Sequence, residues 1–241
     1  MLPKIEHPIY KIKIPSLQKN YNFRPLLVKE EKILLMAKES KNNFDIFVAI
    51  KQIVTNCCVD NNLDINKLAI FDLEYIFLKI RCFSVDSIVK ISYKDQEDNQ
   101  IYDFEIDLNE IEVIFPSEKN DKIIKISKNV GLILKYPSAS LYEDKEFFEI
   151  ENNHYFELIL KCLDKIYEDE ELYEIKDIPK KELETFVENL NIDVFKKVNE
   201  FLTNTPKIHH VIKYENKKGT KREIFFNSLN DFFTWRWVIT L

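Results

Sequence analysis

Glycine is nearly absent, with Gly131 and Gly219 the only two in 241 residues. Folds that cradle phosphates or dinucleotides need several glycines where backbone must approach the ligand, and two isolated ones supply neither a P-loop nor a G-x-G-x-x-G turn. The usual nucleotide-binding enzymes are thereby excluded. Cysteine is scarce too: Cys57, Cys58, Cys82 and Cys162 have no C-x-x-C spacing for a structural zinc and no disulfide framework. Adjacent Cys57 and Cys58 in a predicted helix are poorly placed for a bridge, so reduced thiols are expected. A basic surplus is missing as well; the formal charge of -6 argues against a general nucleic-acid binder. No apolar run approaches the length needed to span a bilayer, and the opening Met1-Leu-Pro-Lys-Ile-Glu-His-Pro8 lacks the apolar core of a signal peptide. A protein without a membrane segment, working in a reducing cytoplasm, is the expectation.

Apolar side chains and aromatics are plentiful, at 45% and 13%, enough to bury a substantial core. Tyr10–Ile14 alternates between Pro8 and Pro15, reading as an edge strand with a hairpin partner at Asn22-Phe23-Arg24. Leu26 to Ser40 follows a helical pattern, with Leu27, Ile33, Leu34 and Ala37 on one face and Lys29, Glu30, Glu31 and Lys32 on the other. Further helices are predicted over Phe44–Val59 and from a cap at Asp64 to Phe83. In the latter, Leu68, Phe71, Tyr75, Leu78 and Cys82 form a stripe widened by Ile70, Leu73, Ile76, Phe77 and Ile80, so the helix must be packed on most sides. Asp72, Glu74, Lys79 and Arg81 are left for water or a partner.

Strands follow at Ser87–Tyr93, Ile101–Asp107, Glu112–Phe115 and Lys122–Ile126, with Val130–Tyr136 either a strand or a lead-in to a loop and 137–142 a connector. Helices return at Asn153–Tyr167, Lys180–Asn189 and Asp193–Thr203. A hairpin, Lys207–Glu215 and Lys221–Phe226, and a short aromatic helix, Leu229–Trp237, close the pattern. The expected class is α+β with helical and strand blocks segregated: an N-terminal hairpin and helical region (1–83), a central antiparallel β-rich region (84–142), and a C-terminal helical region ending in the hairpin and aromatic helix (143–241).

Signs of catalysis are weak. His209 and His210 are adjacent on a strand and point to opposite faces, and His7 and His154 stand alone, so no metal is assigned. The run Glu168-Asp-Glu-Glu171 reads as a solvated helix end or loop. No G-x-S-x-G elbow occurs. No catalytic residue and no cofactor are assigned. Lys217, Lys218, Lys221 and Arg222 make a basic hairpin tip that would suit phosphate, the basis of an alternative reading as a nucleic-acid-contacting regulator, or that serves only as a soluble turn. Within the terminal rings, Phe232 and Phe233 read as core, while Trp235 and Trp237 divide evenly between core and partner contact.

Three stretches resemble a known family. They are Met1–Tyr10 continued by Phe23-Arg-Pro-Leu-Leu-Val-Lys-Glu-Glu-Lys-Ile-Leu-Leu-Met-Ala-Lys-Glu-Ser40; Ile70-Phe-Asp-Leu-Glu-Tyr-Ile-Phe-Leu-Lys-Ile-Arg81 with Ser84-Val; and Pro206-Lys-Ile-His-His210 with Ser228-Leu-Asn-Asp-Phe-Phe233. Together they resemble the baseplate hub subunit and hub assembly proteins of T-even-type contractile bacteriophages, and the strand-Arg-Pro-helix opening is similar to tail assembly chaperones. The resemblance implies a non-enzymatic role in tail assembly in the host cytoplasm, with or without retention in the virion, and partners among the tape-measure protein and other hub proteins. It leaves homo-oligomerisation open and implies no cofactor. Relatives with a C-x-x-C pair in the final hairpin suggest a zinc ribbon, but 215–222 has none here. Under this reading Phe71, Tyr75 and Leu78 either pack internally or grip a partner helix. Arg24 either orients the first helix or meets a partner carboxylate, and Trp235 and Trp237 are further partner-binding candidates.

Overall fold

The computed structural model describes residues 3, 5–40, 42–116, 121–149, 154–229 and 231. In chain order it contains β1 (Tyr10–Ile14), β2 (Lys19–Phe23), α1 (Val28–Ser40), α2 (Asn43–Cys57), α3 (Ile70–Ser84), β3 (Ile88–Lys94), β4 (Ile101–Asp107) and β5 (Glu112–Ile114). Then come β6 (Ile123–Lys125), β7 (Val130–Leu134), α4 (Lys145–Glu149), α5 (His154–Cys162), β8 (Leu163–Glu168), β9 (Glu171–Glu174), α6 (Lys180–Glu188), α7 (Ile192–Thr203), β10 (Lys207–Glu215) and β11 (Lys221–Phe226). The class is α+β, with small antiparallel sheets ordered β1-β2, β3-β4, β11-β10-β5 and β6-β7-β8-β9. The aromatic helix expected to run to Trp237 lies outside the described residues beyond its first turn.

Two compact units divide the chain: one takes residues up to Ile114 and again from Lys207, the other Phe115–Pro206. The first is organised around α3. Seven of its fifteen residues are buried (Phe71, Asp72, Leu73, Ile76, Phe77, Leu78 and Ile80), more than one face of a helix can hold. The cover comes from α2, β1, β5 and β10, with Ile12, Ile14, Phe23, Ile50, Ile53, Ile208 and Phe226 completing the core. Each such side chain contributes about 1.5–3 kcal/mol on leaving water. The three-residue pairing of β5 with β10 (Ile208 opposite Val113) seats the C-terminal hairpin against this helix.

Several expectations about this unit are corrected. Asp64 caps a 3-10 turn, Ile65–Lys67, and α3 begins only at Ile70 behind Ala69, which makes no side-chain cap bond. Asp72, expected to face water, is fully buried: its carboxylate accepts the Ser16 N–H (2.9 Å) and hydroxyl (2.5 Å). The turn between β1 and β2 reaches over the first turn of α3, where a negative charge is also favoured by the helix dipole. Glu30, expected on the outer face, is likewise buried and Glu31 half-buried; Glu30 sits at the third position of α1 and its carboxylate reaches back to the Leu27 N–H (3.1 Å).

In the second unit the four-stranded sheet packs on α5, α6 and α7 through Leu132, Leu134, Leu163, Ile166, Leu183, Val187, Val198 and Phe201. The helix expected over 153–167 stops at Cys162, and residues 163–168 become β8, the strand bonded on both sides by β7 and β9. Sheet pairing outweighs the local helical pattern there. The acidic run Glu168–Glu171 is the tip of the β8–β9 hairpin, with Asp169 at φ 53°. Gly131 has a steric reason: it lies opposite Tyr167, and a Cβ would stand 2.4 Å from the phenol ring.

Replacing Ser16 by Ala removes the hydroxyl donor from the fully buried Asp72 carboxylate and leaves the backbone N–H bond. The expected cost is about 1–3 kcal/mol, measurable as a lowered denaturant midpoint with unchanged slope; Ser16→Thr, which keeps the hydroxyl, should cost less.

Candidate interaction surfaces

The entry to α1 is built on an ion pair. Pro25 follows Arg24 and turns the chain from β2 into the helix; Arg24 donates to Glu30 Oε1 at 2.9 Å and Oε2 at 3.2 Å, and to the Pro25 carbonyl at 2.9 Å. The guanidinium and its backbone bonds hold Glu30 below the ordinary carboxylate range despite burial. The Arg24 N–H donates to the Cys57 carbonyl and the Leu26 N–H to Ser84 Oγ, so this corner also ties α1 to the ends of α2 and α3.

Along α3, Phe71 and Leu78 are buried in the core, while Tyr75 is half-buried. Tyr75 lines an open groove of about 570 Å³ between β1 and α3, with Tyr10, Lys11, Lys13, Lys79 and Phe83 around it. Tyr10 and Phe83 stack at 4.1 Å between centroids, and the Lys79 ammonium lies 5.1 Å from the Tyr75 ring centre while donating to the Leu108 and Asn109 carbonyls. The remaining polar residues of α3 are not simply solvated, as had been expected. Arg81 donates to the Asp86 carbonyl, and Glu74 accepts the Leu229 N–H at 3.4 Å. Burial, with Asp231 nearby, raises the Glu74 carboxyl from 4.5 to about 7. The sequence leaves Lys79 for water or a partner but gives Tyr10 and Phe83 no role as groove residues, since the groove needs β1 and α3 side by side.

The basic tip of the β10–β11 hairpin meets an acidic one. Tyr214 donates to Asp95 Oδ2 (2.7 Å), and Arg222 spans both Asp95 oxygens (3.3 and 3.4 Å). Asn216 donates to Glu97, the Lys217 N–H to Asp98, and Lys218 to the Glu97 carbonyl. The Tyr214 ring sits among Tyr102 (5.0 Å), Phe104 (5.2 Å) and Tyr93 (6.2 Å). Asp95 is fully buried and its bonds to Tyr214 and Arg222 hold it far below the carboxylate range, while desolvation and the same carboxylate push the Tyr214 phenol up. Gly219, at φ +81°, makes the tight turn that presents these donors.

His209 Nδ1 lies 2.7 Å from Asn227 Oδ1, and burial lowers the His210 imidazole. Burial raises the Cys57 and Cys82 thiols to about 11 and Cys162 to about 12, which keeps them protonated and poor nucleophiles. Among the described residues no three His, Cys, Asp or Glu side chains are grouped to hold a metal, and no helix is long and apolar enough to cross a membrane. Arg24, Phe71, Tyr75 and Leu78 thus lie in one unit but on different sides of α3 and α1; Trp235 and Trp237 lie outside the described residues.

A family model described as T4 bacteriophage base plate protein matches residues 7–234. No curated protein and no solved structure matches the chain.

Arg24→Ala takes the two-oxygen partner from buried Glu30 and leaves it the longer Lys29 contact (3.7 Å), with an expected loss of about 3 kcal/mol in chemical denaturation; Arg24→Lys, which cannot span both oxygens, should lose part of it. Glu74 has a folded value above its unfolded one, so its contribution is complete below pH 4.5 and is lost as pH rises to about 7. The loss should not exceed about 3 kcal/mol, and Glu74→Gln should flatten the stability profile in that window. Asp95 is the opposite case: its contribution is present above its ordinary value of 3.8 and is lost as pH falls through its depressed folded value.

Proposed function

We propose that this chain, which belongs to the T4 bacteriophage base plate protein family (matched over residues 7–234), serves the hub of the tail baseplate as a subunit or assembly factor that binds tape-measure and hub proteins. A structural baseplate protein works by contact, and the observation that carries the reading is the β1–α3 groove. Aromatic residues Tyr10, Tyr75 and Phe83 line one open groove that Lys11, Lys13 and Lys79 also border. Large rings with a polar rim are what protein interfaces concentrate their energy on, and among the described residues β1 pairs with β2 alone, so its outer edge offers backbone donors and acceptors to an extended partner segment. Arg24, through Glu30, sets the angle of α1 beside this region; Phe71 and Leu78 hold α3 in place from the core. Trp235 and Trp237 remain proposed anchors for a partner.

The alternative, a nucleic-acid contact through 217–222, is less well supported by the geometry. Arg222 is paired with Asp95, and the Lys217 and Lys218 ammonium groups are tied to the Gln100 side-chain oxygen and the Glu97 carbonyl, while Asp95, Glu97 and Asp98 beside the tip would repel a phosphate backbone.

Point variants test the reading better than removal of residues 1–83, which would take β1 to α3 out of a unit that continues to Ile114 and resumes at Lys207. Tyr10→Ala combined with Tyr75→Ala should keep the fold by circular dichroism and lower recovery of tape-measure and hub proteins from infected cells at least tenfold. Undiminished recovery would remove the groove from the account. Failure of the unaltered protein to recover any tail protein would remove the hub role. Mass spectrometry of finished particles separates a retained subunit from a factor that departs.

A further inference from the structure

Among the described residues, helix α1 is anchored on one side. Glu30 and Ala37 are buried, Ile33 and Leu34 are half-buried against the rest of the unit, and the Arg24 ion pair fixes the helix at its start. The opposite face carries Val28, Lys32, Leu35 and Met36 at i, i+4, i+7 and i+8, hence in one stripe. Val28 is 87% exposed, Leu35 51% and Met36 61%. Lys38 and Lys29, the latter also 3.7 Å from Glu30, flank the stripe and Glu39 is its one exposed acid, so its border is mainly cationic. A stripe of apolar side chains bordered by cations, on a helix that its own fold holds rigid, fits a partner that is apolar and acidic.

The same chain carries such a surface in its other unit. The β8–β9 tip presents Glu168, Asp169, Glu170 and Glu171 in succession, all exposed, followed by Leu172 at 58% and Tyr173 at 39% exposure. The positive groups facing this hairpin are Lys128 beside the tip and, at its base, Lys165 paired to Glu174 with Lys135 and Lys176 near the same carboxylate. Sign and apolar content both complement α1. The dimensions agree too: thirteen helical residues span about 20 Å, and a four-residue strand with its turn spans about 14 Å.

We infer that copies of this chain associate head to tail, the α1 face of one copy receiving the β8–β9 acidic hairpin of the next. The two patches differ, so the contact is heterologous and repeats from copy to copy, closing into a ring or running on as a chain according to the rotation between neighbours. One helix face against one hairpin makes a small interface, below about 1,200 Å², so association is weak and salt-sensitive. The inference does not depend on which baseplate protein occupies the β1–α3 groove.

The test is sedimentation of the purified full chain over a range of concentrations. Association beyond the dimer is expected, weakening at least tenfold between low and high salt. Lys32→Glu with Lys38→Glu gives a chain acidic at both surfaces, and Glu170→Lys with Glu171→Lys gives one basic at both; each alone should be monomeric. Mixed together they should associate again, because each reversed surface meets a reversed partner and each native surface a native one. All four positions are exposed, and unchanged circular dichroism shows that the variants fold. A monomer at every concentration, association indifferent to both charge reversals, or a mixture that stays monomeric would each overturn the inference; the first would assign the α1 face to a different protein.

Discussion

A helix that is apolar around most of its circumference cannot be completed by its neighbours in sequence alone. α3 buries side chains on successive positions as well as at helical spacing, and α2 supplies only part of the cover. The rest comes from β1 upstream and from β5 and β10, the last some 130 residues downstream. This demand explains why the chain leaves the first unit after Ile114, builds a separate compact unit, and returns at Lys207. The β5–β10 ladder is short, but it lies where the hairpin must sit if Ile208 and Phe226 are to reach the core.

Apolar cover specifies little about angle and register, and buried polar groups supply that here. Asp72 accepts both donors of Ser16 and so fixes the β1–β2 turn over α3. Glu30 with Arg24 fixes the entry of α1. Asp95 with Tyr214 and Arg222 locks the β10–β11 hairpin to the β3–β4 hairpin. In each case a carboxylate with almost no access to water has two or more donors, which makes the native arrangement far cheaper than any nearby one that leaves a charge unmatched. The first two hold the region around the groove and α1, the third the far hairpins. The surfaces available to partners are therefore rigid in their backbone, which lowers the entropic cost of binding.

This has a consequence for charge. Formal charge along the chain suggests a basic tip at 217–222 and scattered acids elsewhere, yet folding pairs Arg222 with Asp95 and Glu97 and brings Asp98 against the Lys217 backbone, so acids now border the tip. Further charges face outward on α1 and β1, which carry exposed lysines, and at the β8–β9 tip, which carries exposed carboxylates. A surface polarised in this way favours protein partners over phosphate backbones.

Sequence alone determined what depends on local periodicity and turn chemistry. The hairpin at 10–23, the helices α1, α2, α6 and α7, the strands at 101–107 and 207–226 and the α+β class were legible because each repeats its apolar side chains at the period of its own backbone. The heavy apolar load of α3 was legible for the same reason, and so was the family, from the wording of 23–40 and 70–81. Tertiary structure alone decided partners. Residues 163–168 carry a helical pattern but become a central strand because β7 and β9 bond to both edges. Glu30 and Asp72 look like surface residues among other charges until Arg24 and Ser16 close over them. The meeting of Asp95 with Arg222 joins positions 127 residues apart, and the groove at Tyr75 exists only where β1 lies beside α3. A periodicity reports which face of an element must be covered; what covers it is settled by the competition of all distant segments for that face, which no local window contains.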